Sequence, residues 1–206
     1  MNSRLPGIAT IALWAALLAA AALLAAWLLG PASAPQGNLA GSAIGGPFRL
    51  VDEAGRRVSS DTFKGQWRLM YFGFTYCPDV CPVDTANLAA GLKAFEKADP
   101  ARAAQVQPLF VTVDPERDSP AVLAEFTNAF HPRLLGLTGS RAEVDAALKT
   151  FRIYASKVVD TTAGSYTFDH LAVVYLMDPE GRPVAFLAGP TASPEAIAAM
   201  LETHVE

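Results

Sequence analysis

The stretch Trp67-Arg68-Leu69-Met70-Tyr71-Phe72-Gly73-Phe74-Thr75-Tyr76-Cys77-Pro78-Asp79-Val80-Cys81-Pro82 decides how the rest of the chain reads. Its first half, Trp67 to Phe74, is a short aromatic-rich run that is apolar on both faces, the pattern of a central strand. Its second half holds the chain's two cysteines and lies between that strand and a following helix. Open α/β sheets place ligands and reactive groups at such junctions.

The flanks extend the pattern. Val106 to Val113 is a second apolar run. Between the two, Pro82 to Ala98 carries Leu88, Leu92 and Phe95 at i, i+4, i+7 and stops at Asp99-Pro100, which predicts a crossover helix between parallel strands. A second helix follows Ser119-Pro120, with Leu123, Phe126 and Phe130 on one face, and closes at His131-Pro132. The capping box Ser140-Arg141-Ala142-Glu143 opens a third, with Val144, Leu148 and Phe151 inward. Upstream, Phe48 to Asp52 and Arg57 to Ser59 flank the turn Glu53-Ala54-Gly55 and read as a hairpin at a sheet edge. Downstream, Leu171 to Met177 and Pro183 to Leu187 bracket Asp178-Pro179-Glu180-Gly181 as strand, turn, strand. A last helix runs from Ser193-Pro194 to about His204. This order predicts a mixed α/β sheet with helices on both faces, compatible with a thioredoxin-like fold.

The 206 residues carry a net charge of −4, are 51% hydrophobic and only 17% charged. That composition excludes a disordered chain and gives no basic footprint for nucleic acid. The apolar excess is concentrated in Ile8 to Leu29, an uncharged run rich in Ala and Leu. As a helix it would be roughly 33 Å long, matching a bilayer core, so residues 8–29 are predicted to be a transmembrane anchor. The competing reading is a signal peptide, because Ala32-Ser33-Ala34 resembles a cleavage site. The apolar run is longer than such peptides use, however, and Pro35 would follow the cut. Arg4 and the amino terminus precede the span, which places residues 1–7 in the cytoplasm and everything after Gly30 outside. Met1 to Pro6 is too short and too weakly basic for a transit peptide. The expected location is therefore a bacterial plasma membrane, single-pass, with the C-terminal domain on the periplasmic side. Residues 30–46, rich in Pro, Gly, Ser and Ala, read as a flexible linker, and 47–206 as the folded domain. Beyond Gly30 the chain has 15 basic and 20 acidic residues, a mildly acidic body.

Cys77 and Cys81, at i and i+4, bring their sulfurs within reach if the loop is helix-like. With Pro82 at the first helical position, Cys81 would sit at the cap, where the helix dipole favours thiolate. Two soft thiolates suit Cu(I), or a disulfide. A structural disulfide is normal in an oxidising compartment, but so short a ring closes little chain entropy. Structural zinc has no second cysteine pair to complete its tetrahedral set. Any metal needs a third ligand. Of the three histidines, His204 continues the apolar stripe of the last helix, and His131 lies in a loop just after one. His170 follows Asp169 at the mouth of the strand Leu171 to Met177. A neutral imidazole there could complete a Cys2His site, provided the fold brings it to the cysteines.

The run Tyr71 to Pro82 resembles the Sco/SenC family of copper-binding, thioredoxin-like proteins. So do Val113-Asp114-Pro115-Glu116-Arg117-Asp118-Ser119-Pro120, Gly136-Leu137-Thr138-Gly139-Ser140, Asp169-His170 and Tyr175-Leu176-Met177-Asp178-Pro179-Glu180-Gly181. The resemblance spans about Phe48 to the C-terminus in consistent order. It implies that Cys77, Cys81 and His170 bind one copper ion, Cu(I) or Cu(II), in domain 47–206. It also implies anchoring by one N-terminal helix and a metallochaperone role in building the binuclear copper centre of cytochrome c oxidase. The implied partners are that oxidase's copper-site subunit, an upstream copper donor, a thiol reductant and the plasma membrane. Val83 stands where the family commonly has Thr. An incoming thiol could exchange with ligands of an under-coordinated copper, and the cysteines must be reduced to bind it.

Two other functions fit the same cysteines. A thiol-disulfide oxidoreductase is opposed by the CxxxC spacing and by the lack of Pro from Gly164 to Asp178, although specific reduction of an oxidase's copper-site cysteines stays open. A redox or copper sensor would bind a partner without delivering metal. A peroxiredoxin is disfavoured, because Thr75-Tyr76-Cys77 lacks that family's cysteine spacing. Asp114, Glu116 and Asp118 alternate in a Pro-bounded loop but do not fit an EF-hand, and read as turn and cap residues. Asp79 and Asp169 read as solvated loop charges, with tuning of the imidazole or docking of a partner as the alternative. Phe72, Phe74 and Tyr76 read as core and rim, and Tyr166 and Phe168 as possible shields of a metal.

Overall fold

The computed structural model describes residues 12–21, 37–160 and 164–206. The chain divides into two units, Met1–Ala34 and Pro35–Glu206. In the first, residues 12–21 are helical. Most of the predicted span 8–29 lies outside the described residues, among which no helix is long and apolar enough to cross a membrane.

The second unit is built on an eight-stranded mixed sheet. Its strands are β1 (Gly37–Asn38), β2 (Arg49–Asp52), β3 (Arg57–Ser59), β4 (Trp67–Gly73), β5 (Val106–Thr112), β6 (Leu135–Thr138), β9 (Val173–Met177) and β10 (Pro183–Ala188), in spatial order β1-β10-β9-β4-β5-β6-β2-β3. The remaining two strands, β7 (Ala155–Asp160) and β8 (Ser165–His170), form a separate antiparallel pair. β4, β5 and β6 are parallel, and antiparallel neighbours close the sheet on both sides. Every residue of β4 is buried, as the uninterrupted apolar run predicts for a strand covered on both faces.

The helices are α1 (Val80–Ala98), the short α2 (Pro100–Ala103), α3 (Pro120–Phe130), α4 (Arg141–Thr150) and α5 (Pro194–His204). Adjacent residues of β4 point to opposite faces, and their partners show that helices lie on both. Tyr71 packs on Phe110, which packs on Phe126 of α3, and the Tyr71 hydroxyl reaches Asp84 of α1. Phe72 meets Phe151 at the end of α4, with ring centroids 5.3 Å apart. The stripe Leu88, Leu92 and Phe95 is fully buried. α1 and α5 approach so closely at Gly91 that an added Cβ would stand 2.7 Å from Ile197. The capping box at Ser140 and Glu143 forms as predicted.

Three local readings need correction. α1 begins at Val80 with Asp79 as its N-cap, two residues before the predicted start, so Cys81 lies inside the first turn rather than at the cap. The segment predicted to enter the strand at Leu171 first makes the β7/β8 hairpin, and His170 is the last residue of β8. β8 alternates exposed and half-buried side chains, but β7 does not, with Lys157, Val158 and Val159 all exposed, so the pair carries no common period for the sequence to show. Finally, residues 37–46 of the predicted linker are described. Gly37 and Asn38 pair with β10, and Leu39 is buried, because the edge of β10 offers unpaired backbone groups.

Candidate metal centre

The site begins where β4 ends. Gly73 is the last strand residue, and a Cβ there would come within 2.7 Å of the Tyr71 ring and 3.1 Å of Cys81 Sγ. Only glycine leaves the Cys81 sulfur its place beneath the strand end. The loop that follows is tied down by Asp118. Its fully buried carboxylate accepts from Thr75 N at 3.1 Å, Thr75 Oγ1 at 2.6 Å and Thr112 Oγ1 at 2.6 Å. Burial pushes the Asp118 carboxyl up from its ordinary value, and the three hydrogen bonds oppose that shift.

Cys77 is half-buried and Cys81 fully buried, and both are free thiols. Cys81 N, in the first turn of α1, donates to Cys77 Sγ at 3.4 Å, so the Cys77 sulfur takes one of the helix's unpaired N-terminal donors. The Cys77 thiol is lowered to about 3, chiefly by the hydrogen bond from the Cys81 thiol, against a desolvation cost, with further help from His170 and the backbone N–H groups of Cys81 and Asp79. Cys81 is pushed up by the Cys77 sulfur beside it and by burial. The thiolate at the helix N-terminus is therefore Cys77, not Cys81. Since the helix starts earlier than predicted, the sulfur facing its open end is four residues upstream of the expected one. Beneath Cys81, the buried Tyr71 hydroxyl donates to Asp84 Oδ2 at 3.1 Å, and burial raises Tyr71 as well as Asp84.

From the other side, β8 brings His170. Its Nε2 lies 3.3 Å from Cys81 Sγ, across 89 residues of sequence. The ring sits edge-on to Phe74, with centroids 5.8 Å apart, and Nδ1 is buried with no partner among the described residues. Phe168, two residues earlier, packs on the same Phe74 ring. Of the residues read as core or rim, Phe72 and Phe74 are buried, while Tyr76 is 58% exposed. Asp79 and Asp169 are exposed. His131 is buried against Glu96 and accepts from Arg133 N, away from the cysteines, and His204 closes α5. Among the described residues no three His, Cys, Asp or Glu side chains make a ready metal cage; the imidazole touches the Cys81 sulfur, and the Cys77 sulfur touches the Cys81 backbone.

The sequence reading missed the part played by Asp114, Arg117 and Asp118. Ser119 alone caps α3, accepting from Val122 N. Asp118 holds the cysteine loop, and the buried Asp114 holds Arg117. One signal was available: this run follows the C-terminal end of β5, beside the end of β4 that carries the cysteines.

A dithiol loop at the C-terminal end of a central strand, with an imidazole delivered from a later hairpin, defines a thioredoxin-like protein fitted for soft-metal or thiol chemistry. The thioredoxin domain of a thiol-disulfide oxidoreductase from Bacteroides vulgatus shares the fold, at TM-score 0.52 and 20% identity over 79% of this chain and 96% of that one. The family is more specific: the SCO1/SenC model matches residues 36–206, and the chain belongs to that family. It is 47% identical over 136 residues to the mitochondrial SCO2 homolog of Danio rerio, covering 66% of this chain and 48% of that protein. The copper-bound structure of ScoI from Bradyrhizobium japonicum matches at TM-score 0.70 and 42% identity, over 79% of this chain and 99% of that one. BsSco, described as a Sco-family cytochrome c oxidase assembly protein with a disulfide switch, matches at TM-score 0.58 and 28% identity, over 77% of this chain and 91% of that one. The chain spans about half the length of the first curated relatives it matches.

Proposed function

We propose that this chain is a membrane-anchored copper carrier that binds one copper ion through Cys77, Cys81 and His170 and passes it to the copper-site subunit of cytochrome c oxidase. The observation that carries this reading is the 3.3 Å contact between His170 Nε2 and Cys81 Sγ, with the Cys77 sulfur at the same helix start. Two sulfurs and one imidazole are a donor set for copper. The copper-bound relative and the oxidase-assembly relative point the same way.

The donors are graded for the task. Cys77, already a thiolate and partly open to solvent, is the first sulfur an incoming ion meets. Cys81 gives up its proton only when a cation replaces it, so the second bond forms inside the protein. Three protein ligands leave room for a partner's thiol to enter and exchange. An upstream copper donor and a thiol reductant complete the cycle, because a Cys77–Cys81 disulfide offers no thiolate pair. The apolar run 8–29 and Arg4 support a single-pass anchor in a bacterial plasma membrane, with the domain outside.

The deciding experiment is copper titration of the reduced full chain in detergent. One equivalent should be retained against a competing chelator, with retention lost in Cys77→Ser and Cys81→Ser and weakened in His170→Ala. Retention unchanged in His170→Ala would remove the imidazole from the site. A second reading, reduction of the oxidase's copper-site cysteines, is favoured by the pairing of an accessible thiolate with a buried thiol. Under that reading, thiol exchange would be fast and indifferent to His170→Ala.

A further inference from the structure

β8 presents Tyr166, Phe168 and His170 on one face, half-buried, while Ser165, Thr167 and Asp169 are exposed. Each residue of that stripe has its own seat. His170 meets Cys81, Phe168 meets Phe74, and Tyr166 lies on the guanidinium of Arg117, 3.8 Å from its ring centroid. The same guanidinium is 4.9 Å from the ring of Tyr76, the residue before Cys77. Arg117 Nη1 donates to the Tyr166 carbonyl at 3.0 Å, and Nε donates to the buried Asp114. The Tyr166 hydroxyl donates to Asp114 Oδ1 at 3.1 Å, and Lys157 Nζ lies 3.7 Å from the Tyr166 ring centroid. Because β7 and β8 form a sheet of their own, ladder hydrogen bonds to the main sheet do not fix their height; the short link from His170 to β9 tethers one end, and side-chain seats hold the face.

We propose that Arg117 is the positioning residue for His170: clamped on Asp114 and wedged between Tyr76 and Tyr166, it locks the hairpin carrying the imidazole to the loop carrying the sulfurs. The proposal rests on the reading of Cys77, Cys81 and His170 as copper ligands. A guanidinium suits the task because its plane stacks on both rings while its edges donate in fixed directions; an ammonium cannot do both.

Two measurements on the full chain in detergent test it. The first is Cu(I) affinity against a competing chelator, in a double-mutant cycle. Arg117→Gln should weaken binding about tenfold when His170 is present and less than about twofold in the His170→Ala background. Equal losses in both backgrounds, or no loss, would overturn the proposal. The second uses metal-free protein: in Arg117→Gln, hydrogen exchange of the amides of residues 165–170 should accelerate about tenfold while those of α1 stay unchanged. Unaltered exchange would equally overturn it. If Arg117→Gln does not fold, Arg117→Lys, which keeps the charge and loses the plane, takes its place with the same expected outcomes. Should the wild-type chain hold no copper, the carrier reading fails and the exchange measurement alone decides the lock.

Discussion

The two sulfurs differ in what surrounds them, and that difference is measurable. The lowered value of about 3 for Cys77 means its thiolate is complete at neutral pH and is lost only as pH falls through that region. Alkylation of Cys77 in reduced, metal-free protein is expected to be nearly flat from pH 8 to pH 5, whereas an ordinary thiol, titrating near 8.5, slows about tenfold per unit below it. Cys81, buried and pushed upward, should stay unmodified throughout. Peptide mapping after timed iodoacetamide pulses checks both, and a tenfold drop per unit around pH 7 would contradict the Cys77 assignment. Asp118 offers a second test. Asp118→Asn puts an amide donor among the three donors from Thr75 and Thr112, so it should cost about 1 to 3 kcal/mol in a urea melt. An unchanged midpoint would show that the loop is held by something else.

At the level of elements, the strand end at Gly73 and the start of α1 form one unit. Gly73→Ala adds a Cβ where 2.7 Å separates it from Tyr71 and 3.1 Å from Cys81 Sγ. The overpacking should cost about 1 to 3 kcal/mol and displace Cys81, seen as a lower melting temperature together with weaker copper retention. Wild-type values for both would mean the strand end can relax. The helices and central strands were legible because their signals are local: the Leu88, Leu92, Phe95 stripe, the Ser140 capping box and the doubly apolar run of β4 each depend on residues a few positions apart. The β7/β8 hairpin was not legible. Only β8 carries an inward stripe, Tyr166, Phe168 and His170, and β7 exposes Lys157 to Val159, so three alternate residues in one short strand were all the signal there was. The start of α1 was placed two residues late because Pro82 fits the first helical turn at more than one position.

At the scale of the whole folded unit, part of the core lies far from the site. The α1 face that carries Phe95 packs in the core, at the opposite end of the helix from Cys81. Phe95→Ala should therefore destabilise the domain by about 3 to 5 kcal/mol and leave copper stoichiometry in the surviving folded fraction at the wild-type value. Calorimetry and metal analysis on one sample read both, and a lost metal equivalent without a lower melting temperature would contradict the separation. The sequence by itself determined the order of the central strands and long helices, the dithiol loop at a strand end and the resemblance of its motifs to the Sco/SenC family, because these follow from local periodicity and short-range spacing. Only the tertiary structure decided which cysteine faces the helix's open donors, that His170 reaches Cys81, and that Asp118 and Arg117 hold the loop and the hairpin. The first turns on where α1 starts, four residues from Cys77; the others join residues dozens of positions apart, and chain spacing carries no record of a distance set by the packing of several elements at once.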